Sequence, residues 1–151
     1  MALRKVKIED AGFWFFMSVL VVCYTFAPKN ACAEELWLTA TVRSYHLNRD
    51  RGYNESNFGL GVEKQNDGPW GWSAGFYENS KYRTTVYAGP TYRWRLAEGV
   101  SFMPCLCLAT GYSHLIGIYP LPTFAIEGKQ VGMNVAVAPS VIAFQLKWRF
   151  K

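Results

Sequence analysis

The last eleven residues, VIAFQLKWRFK (141–151), constrain the fold more than any other stretch of this chain. Ile142, Phe144, Leu146, Trp148 and Phe150 alternate with Ala143, Gln145, Lys147 and Arg149. One face is apolar and ends in aromatics; the other is polar. A helix would repeat every three or four residues, whereas a strand turns successive side chains to opposite faces. A soluble strand can carry such a pattern too. In an exported protein, a terminal strand this apolar suits a membrane barrel, with lipid outside and a polar lumen inside.

The same period recurs upstream. Leu36, Leu38, Ala40 and Val42 alternate with Trp37, Thr39, Thr41 and Arg43, and Phe58, Leu60 and Val62 with Gly59, Gly61 and Glu63. Further strands are expected over 70–79, 83–94, 100–112, 119–126 and 131–138. Tight turns separate several of them: NDG (66–68), AEG (97–99) and EGK (127–129). The count is about eight, the smallest usual for single-chain bacterial barrels. The fold class expected is therefore all-β, an eight-stranded antiparallel transmembrane β-barrel behind an N-terminal signal peptide.

The leader is read from residues 1–33. MALRKVK is basic, AGFWFFMSVLVVCYTFA is apolar, and ACA before Glu34 is a small-x-small cleavage site. The competing reading is a transmembrane anchor, for which the apolar run lies near the short limit. Cys23 follows LVV, a poor lipoprotein signal. Cleavage after Ala33 leaves 34–151 as one barrel domain. Beyond residue 33 no apolar stretch is long enough for a membrane helix, which excludes an inner-membrane bundle.

Net charge is +5 over the whole chain. Four of its sixteen basic and two of its eleven acidic residues precede residue 34, leaving +3 for the barrel. Arg43, Arg49, Arg51, Arg83, Arg93 and Arg95 are scattered, so nucleic acid is not an expected partner. Cys105 and Cys107 lie two apart on one strand face, where a disulfide would be strained. Buried thiols or lipid-facing fillers are expected. No metal-ligand spacing is present, and no cofactor is expected.

With the N-terminus of the barrel in the periplasm, odd strands run outward. The outer connections are then 48–57, 79–82 and 113–118, and the tight turns lie inside. His46, Ser80 and His114 all fall near the outer rim. A histidine can take a proton from a hydroxyl nucleophile or from an acceptor hydroxyl.

Several short motifs keep their order from His46 to Phe150: YNE (53–55), FGLG (58–61), Ser80 nine residues before Gly89, YPLP (119–122) and the ending AFQLKWRF. Together they resemble the outer-membrane lipid A palmitoyltransferases, the PagP family. That family moves an acyl chain, usually palmitate, from a phospholipid to lipid A in the outer leaflet. The resemblance implies a Gram-negative outer-membrane enzyme with a phospholipid donor, a lipid A acceptor and a monomeric barrel. It assigns the histidine role to His46 and the serine role to Ser80. The family's aspartate position is Asn79 here, an amide that can hydrogen-bond but cannot stabilise an imidazolium charge. Asn79 could polarise a carbonyl as an oxyanion donor. Asp50 or Glu78 could supply the carboxylate. Glu78 should point to the opposite face, which favours Asp50.

Other positions are assigned to substrate. Pro120, Pro122 and Pro139 cannot donate to a ladder, and a seam there would open sideways to lipid. A bulge or loop edge is the alternative. The resemblance places Gly89 and Thr91 at the acyl pocket, where Thr91 on its floor would favour a chain shorter than glycine would allow. The family's amphipathic surface helix has no counterpart in EEL before the first strand. The runner-up function is a non-enzymatic small barrel for adhesion, surface modification or exclusion, including a catalytically decayed relative. A lipid A deacylase ranks last, because the C-terminal strands carry no histidine.

Overall fold

The computed structural model describes residues 34–112 and 116–150. The expected leader and His114 lie outside the described residues.

Alternation produces strands, as expected, and all of them are antiparallel. They are β1 (Glu35–His46), β2 (Gly59–Gln65), β3 (Trp70–Glu78), β4 (Thr84–Tyr92), β5 (Trp94–Ala97), β6 (Val100–Phe102), β7 (Cys105–Ala109), β8 (Gly117–Leu121), β9 (Thr123–Glu127), β10 (Val131–Ala138) and β11 (Val141–Phe150). They form one sheet in the order β5-β6-β9-β10-β11-β1-β2-β3-β4-β7-β8. The first strand pairs with the last, Leu36 opposite Phe150 and His46 opposite Val141.

Three of the expected strands are each split in two. Pro122 separates β8 from β9, Met103 and Pro104 separate β6 from β7, and Arg93 alone separates β4 from β5. Proline has no N–H to give the ladder, which explains two of the breaks. Arg93 breaks the third because its amide donates sideways to the Pro69 carbonyl and its side chain turns inward to carboxylates. Register carries across each break. Thr91 faces Cys105, and three residues further along each chain Trp94 faces Phe102. Likewise Cys105 faces Leu121 and Phe102 faces Phe124. The sheet therefore curls around a lumen.

Polarity is inverted relative to a soluble protein. Leu36, Leu60, Val86, Leu108, Ile118, Phe124, Leu146 and Phe150 are exposed on the outside, while Thr39, Glu63, Gln65, Asn134 and Lys147 are buried within. Trp70, Trp72, Trp148 and Phe150 are exposed at the end where β1 begins. Aromatics at such a rim match the girdle of a membrane barrel.

The lower lumen is filled by ions. Arg93 reaches Glu35 at 3.0 Å and Glu127 at 2.9 Å, with Glu63 at 3.6 Å. Lys147 bridges Glu63 at 3.0 Å and Glu127 at 2.6 Å, and its ammonium sits 4.7 Å over the Trp37 ring. Each buried cation has at least two carboxylates, which offsets its desolvation. The chain connections are short at this end (66–69, 98–99 and 128–130). The connection from β1 to β2, residues 47–58, is the longest and lies at the other end.

Candidate active site

His46 ends β1, and simple alternation would point it outward. Thr41 is buried, so Arg43 and Tyr45 should follow it inward. Instead the register with β11 shifts between Thr41 and Arg43. Val42 and Arg43 are both exposed, after which Ser44 and His46 are buried. This β-bulge, one extra residue, reverses the parity of the strand end. It brings the imidazole inside, against the expectation that Arg43 shares a face with Trp37.

Ser80 meets it from the β3–β4 connection. His46 Nε2 and Ser80 Oγ are 2.8 Å apart. With the proton on Nδ1, Nε2 accepts from the serine hydroxyl, the geometry of a general base and its nucleophile. Two residues assigned in the sequence to a common site are thus in direct contact.

Asn79 is placed differently. It is wholly buried. Its Nδ2 donates to Thr85 Oγ1 at 3.0 Å and to the Gly111 carbonyl at 3.2 Å. Its Oδ1 accepts from the amides of Lys81 at 2.8 Å and Arg83 at 3.2 Å. All four bonds of the amide hold the turn that presents Ser80.

The carboxylate nearest the imidazole is neither Asp50 nor Glu78. Asp50 is exposed in a short 3-10 turn, and Glu78 is exposed on the outer face, as expected of it. Glu55 Oε1 lies 4.0 Å from His46 Nδ1 and accepts from the His46 backbone amide at 3.2 Å. Nδ1 is itself buried with no hydrogen bond. The Tyr53 ring packs on the imidazole with centroids 4.5 Å apart. Tyr53 and Glu55 were visible only as part of the YNE motif, since nothing in a loop's sequence says which strand it folds back along.

Ser80 lines a cavity of about 440 Å³ in the upper lumen. Its walls include Tyr77, Met103, Cys105, Ala136, Val141 and Phe144. Its floor is polar: Asn134 donates to Glu63 at 2.9 Å and to Gln145 at 3.0 Å, and Gln145 donates to Thr41 at 3.3 Å and Tyr87 at 3.2 Å. Above, the phenols of Tyr77 and Tyr112 are 2.8 Å apart. Burial pushes the Tyr112 phenol above its usual range.

Thr91 and Pro120 line this cavity. Gly89 is not among the lining residues; a Cβ there would run into the Leu106 carbonyl on the neighbouring strand. Pro122 lies at a seam. The β9–β10 ladder ends at Thr123 opposite Ala136, followed by a bond from the Val137 amide to the Pro122 carbonyl at 2.8 Å. Among the described residues no ladder joins β8 to the end of β10. The cysteine expectation is corrected: Cys105 and Cys107 are buried on one face as expected, but they are joined by a disulfide, with Cα atoms 5.5 Å apart. That spacing lies inside the normal range for a bridge, so the strand accommodates it.

Fold and site define an antiparallel β protein with an apolar outside and a histidine–serine pair whose serine lines a cavity. No protein-family profile and no curated protein matches the chain. Among solved structures it is similar to the Yersinia pestis outer membrane protein Ail in a phospholipid bilayer nanodisc, with a TM-score of 0.43 and 11% identity. The match covers 78% of this chain and all of that one.

Proposed function

We propose that the chain is a Gram-negative outer-membrane barrel that transfers an acyl chain from a phospholipid to lipid A, acting as a monomer. The shared register across the three breaks supports eight staves: β4 with β5, β6 with β7, β8 with β9, and the five unbroken strands. The apolar outer face and aromatic rim support a lipid environment. The observation that carries the activity is the 2.8 Å contact of His46 with Ser80, whose side chain lines the cavity.

In this reading His46 Nε2 takes the Ser80 hydroxyl proton as Oγ attacks the ester carbonyl of the donor. The tetrahedral adduct collapses, the acyl–oxygen bond breaks, and the imidazolium returns its proton to the departing lysophospholipid. His46 then deprotonates a lipid A hydroxyl, which attacks the acyl-serine; as the acyl–Oγ bond breaks, the imidazolium returns that proton to Ser80 Oγ. The acyl chain lies in the cavity with Thr91 near its end, and enters by the seam at Pro120 and Pro122. Asn79 keeps the turn in place.

The second reading is a non-enzymatic small barrel. It is favoured by the ion network of Arg93, Lys147, Glu63 and Glu127, which accounts for the most deeply buried charges without any chemistry. Mass spectrometry of lipid A from a Gram-negative host expressing the chain separates the two. An added acyl mass that disappears in His46→Ala and Ser80→Ala is expected. No added mass from a barrel folded in the outer membrane overturns acyl transfer.

A further inference from the structure

The loop 52–58 touches both halves of the histidine–serine pair through three consecutive residues. Tyr53 covers the imidazole face. The Asn54 amide donates to the Ser80 carbonyl at 3.0 Å, and its side chain to the Asn79 carbonyl at 3.4 Å. Glu55 accepts from the His46 amide through Oε1, and its own carbonyl accepts from the Ser44 amide at 2.9 Å. Asn57 extends the stitching to the Glu78 carbonyl at 2.9 Å. Residues from β1 and from the β3–β4 turn, which do not follow one another in the chain, are thereby held at one distance.

We propose that Tyr53–Asn54–Glu55 is the positioning element of this site and that the Glu55 carboxylate fixes the imidazole with its proton on Nδ1. This rests on the acyl-transfer reading above. A neutral histidine can act as base through Nε2 only if Nδ1 carries the proton, and a carboxylate facing Nδ1 selects that tautomer. Nδ1 is buried, lacks any other partner and faces Glu55 Oε1 at 4.0 Å. A shift of about 1 Å brings that pair to hydrogen-bond distance. Hydrogen bonds of this kind commonly tighten when substrate binds. The place filled by an aspartate in the resembling family is thus taken from a different loop, and Asn79 is free to serve the turn.

Two readouts test this in full-length barrel refolded into nanodiscs. The first is the His46 tautomer, read from ¹⁵N and ¹³C shifts with isotope-labelled histidine. The parent should show the Nδ1–H form, and Glu55→Ala should convert it to a mixture containing Nε2–H. A parent proton on Nε2, or a tautomer unchanged by Glu55→Ala, overturns the assignment. This readout needs no turnover, so it stands even if acyl transfer fails. The second uses Glu55→Gln, which keeps the acceptor for the His46 amide and removes the charge. Turnover of a phospholipid donor should fall by at least about tenfold in kcat with KM unchanged. Full kcat in Glu55→Gln overturns a role for the charge.

Discussion

Asn79→Asp is the substitution that would restore the carboxylate of the resembling family, and the surroundings of Asn79 predict that it fails. The parent amide is wholly buried and makes four hydrogen bonds. A carboxylate keeps the two bonds accepted from Lys81 and Arg83, and its charge strengthens each by about 1 kcal/mol. It loses the two donated by Nδ2, at about 1 kcal/mol each. These changes nearly cancel. What remains is a carboxylate oxygen set against the Gly111 carbonyl where the parent holds a 3.2 Å bond. Leaving that half-buried carbonyl unpaired costs about 1–3 kcal/mol, and burying the charge adds to it. The variant should lose about 2–3 kcal/mol, a shift of roughly 0.5 M or more in a guanidinium midpoint at the slopes usual for small proteins. Unfolding in detergent micelles, followed by tryptophan fluorescence, measures it. Lipid A from cells expressing the variant should carry no more added acyl chain than with the parent. A midpoint at or above the parent's, or acyl transfer that appears only with aspartate, would refute the assignment of Asn79 as a turn clamp.

Lys147→Met leaves Arg93 as the remaining cation at Glu63 and Glu127, and should destabilise by about 3 kcal/mol in the same assay. Adding Glu63→Gln should recover part of that loss, and a double variant worse than the single contradicts the pairing. Thr91→Gly should deepen the cavity floor and raise the mass of the acyl chain delivered to lipid A; an unchanged chain distribution removes Thr91 from the pocket. The purified protein, unfolded without reductant, should resist maleimide at Cys105 and Cys107 and label at both after reduction. Labelling before reduction contradicts the disulfide.

The strands were legible because their polarity alternates, most clearly over Ile142–Phe150, and the inner turns because NDG, AEG and EGK punctuate them. The splits at Arg93 and Pro104 were less so. One depends on where an arginine finds its carboxylates, the other on a proline whose effect shows only when its neighbour strand is known. Charges at alternate positions, Glu63 and Lys147 among them, marked the inner face, yet their pairing requires the curl of the whole sheet. The resemblance supplied His46 and Ser80. Glu55 was hidden because twelve residues of connection fold back on the strand they leave, and no local pattern encodes that return. The disulfide departs from expectation because the Cα atoms of Cys105 and Cys107 lie only 5.5 Å apart, within bridging range.

The bulge at Val42 has an evolutionary consequence. A strand writes inside and outside as odd and even, and beyond residue 42 this chain writes them in reverse. Removing the extra residue, Val42, would restore plain alternation and leave Ser44 and His46 facing in and Arg43 and Tyr45 facing out. Losing two would take a residue from the regular alternation as well, turning the imidazole outward and Tyr45 inward. Length variation among any descendants of this chain should therefore be tolerated in the loop after His46, and in the short stretch before it only as loss of the single bulge residue. Alignments that slide a gap freely across that stretch would blur the difference between a site and a wall.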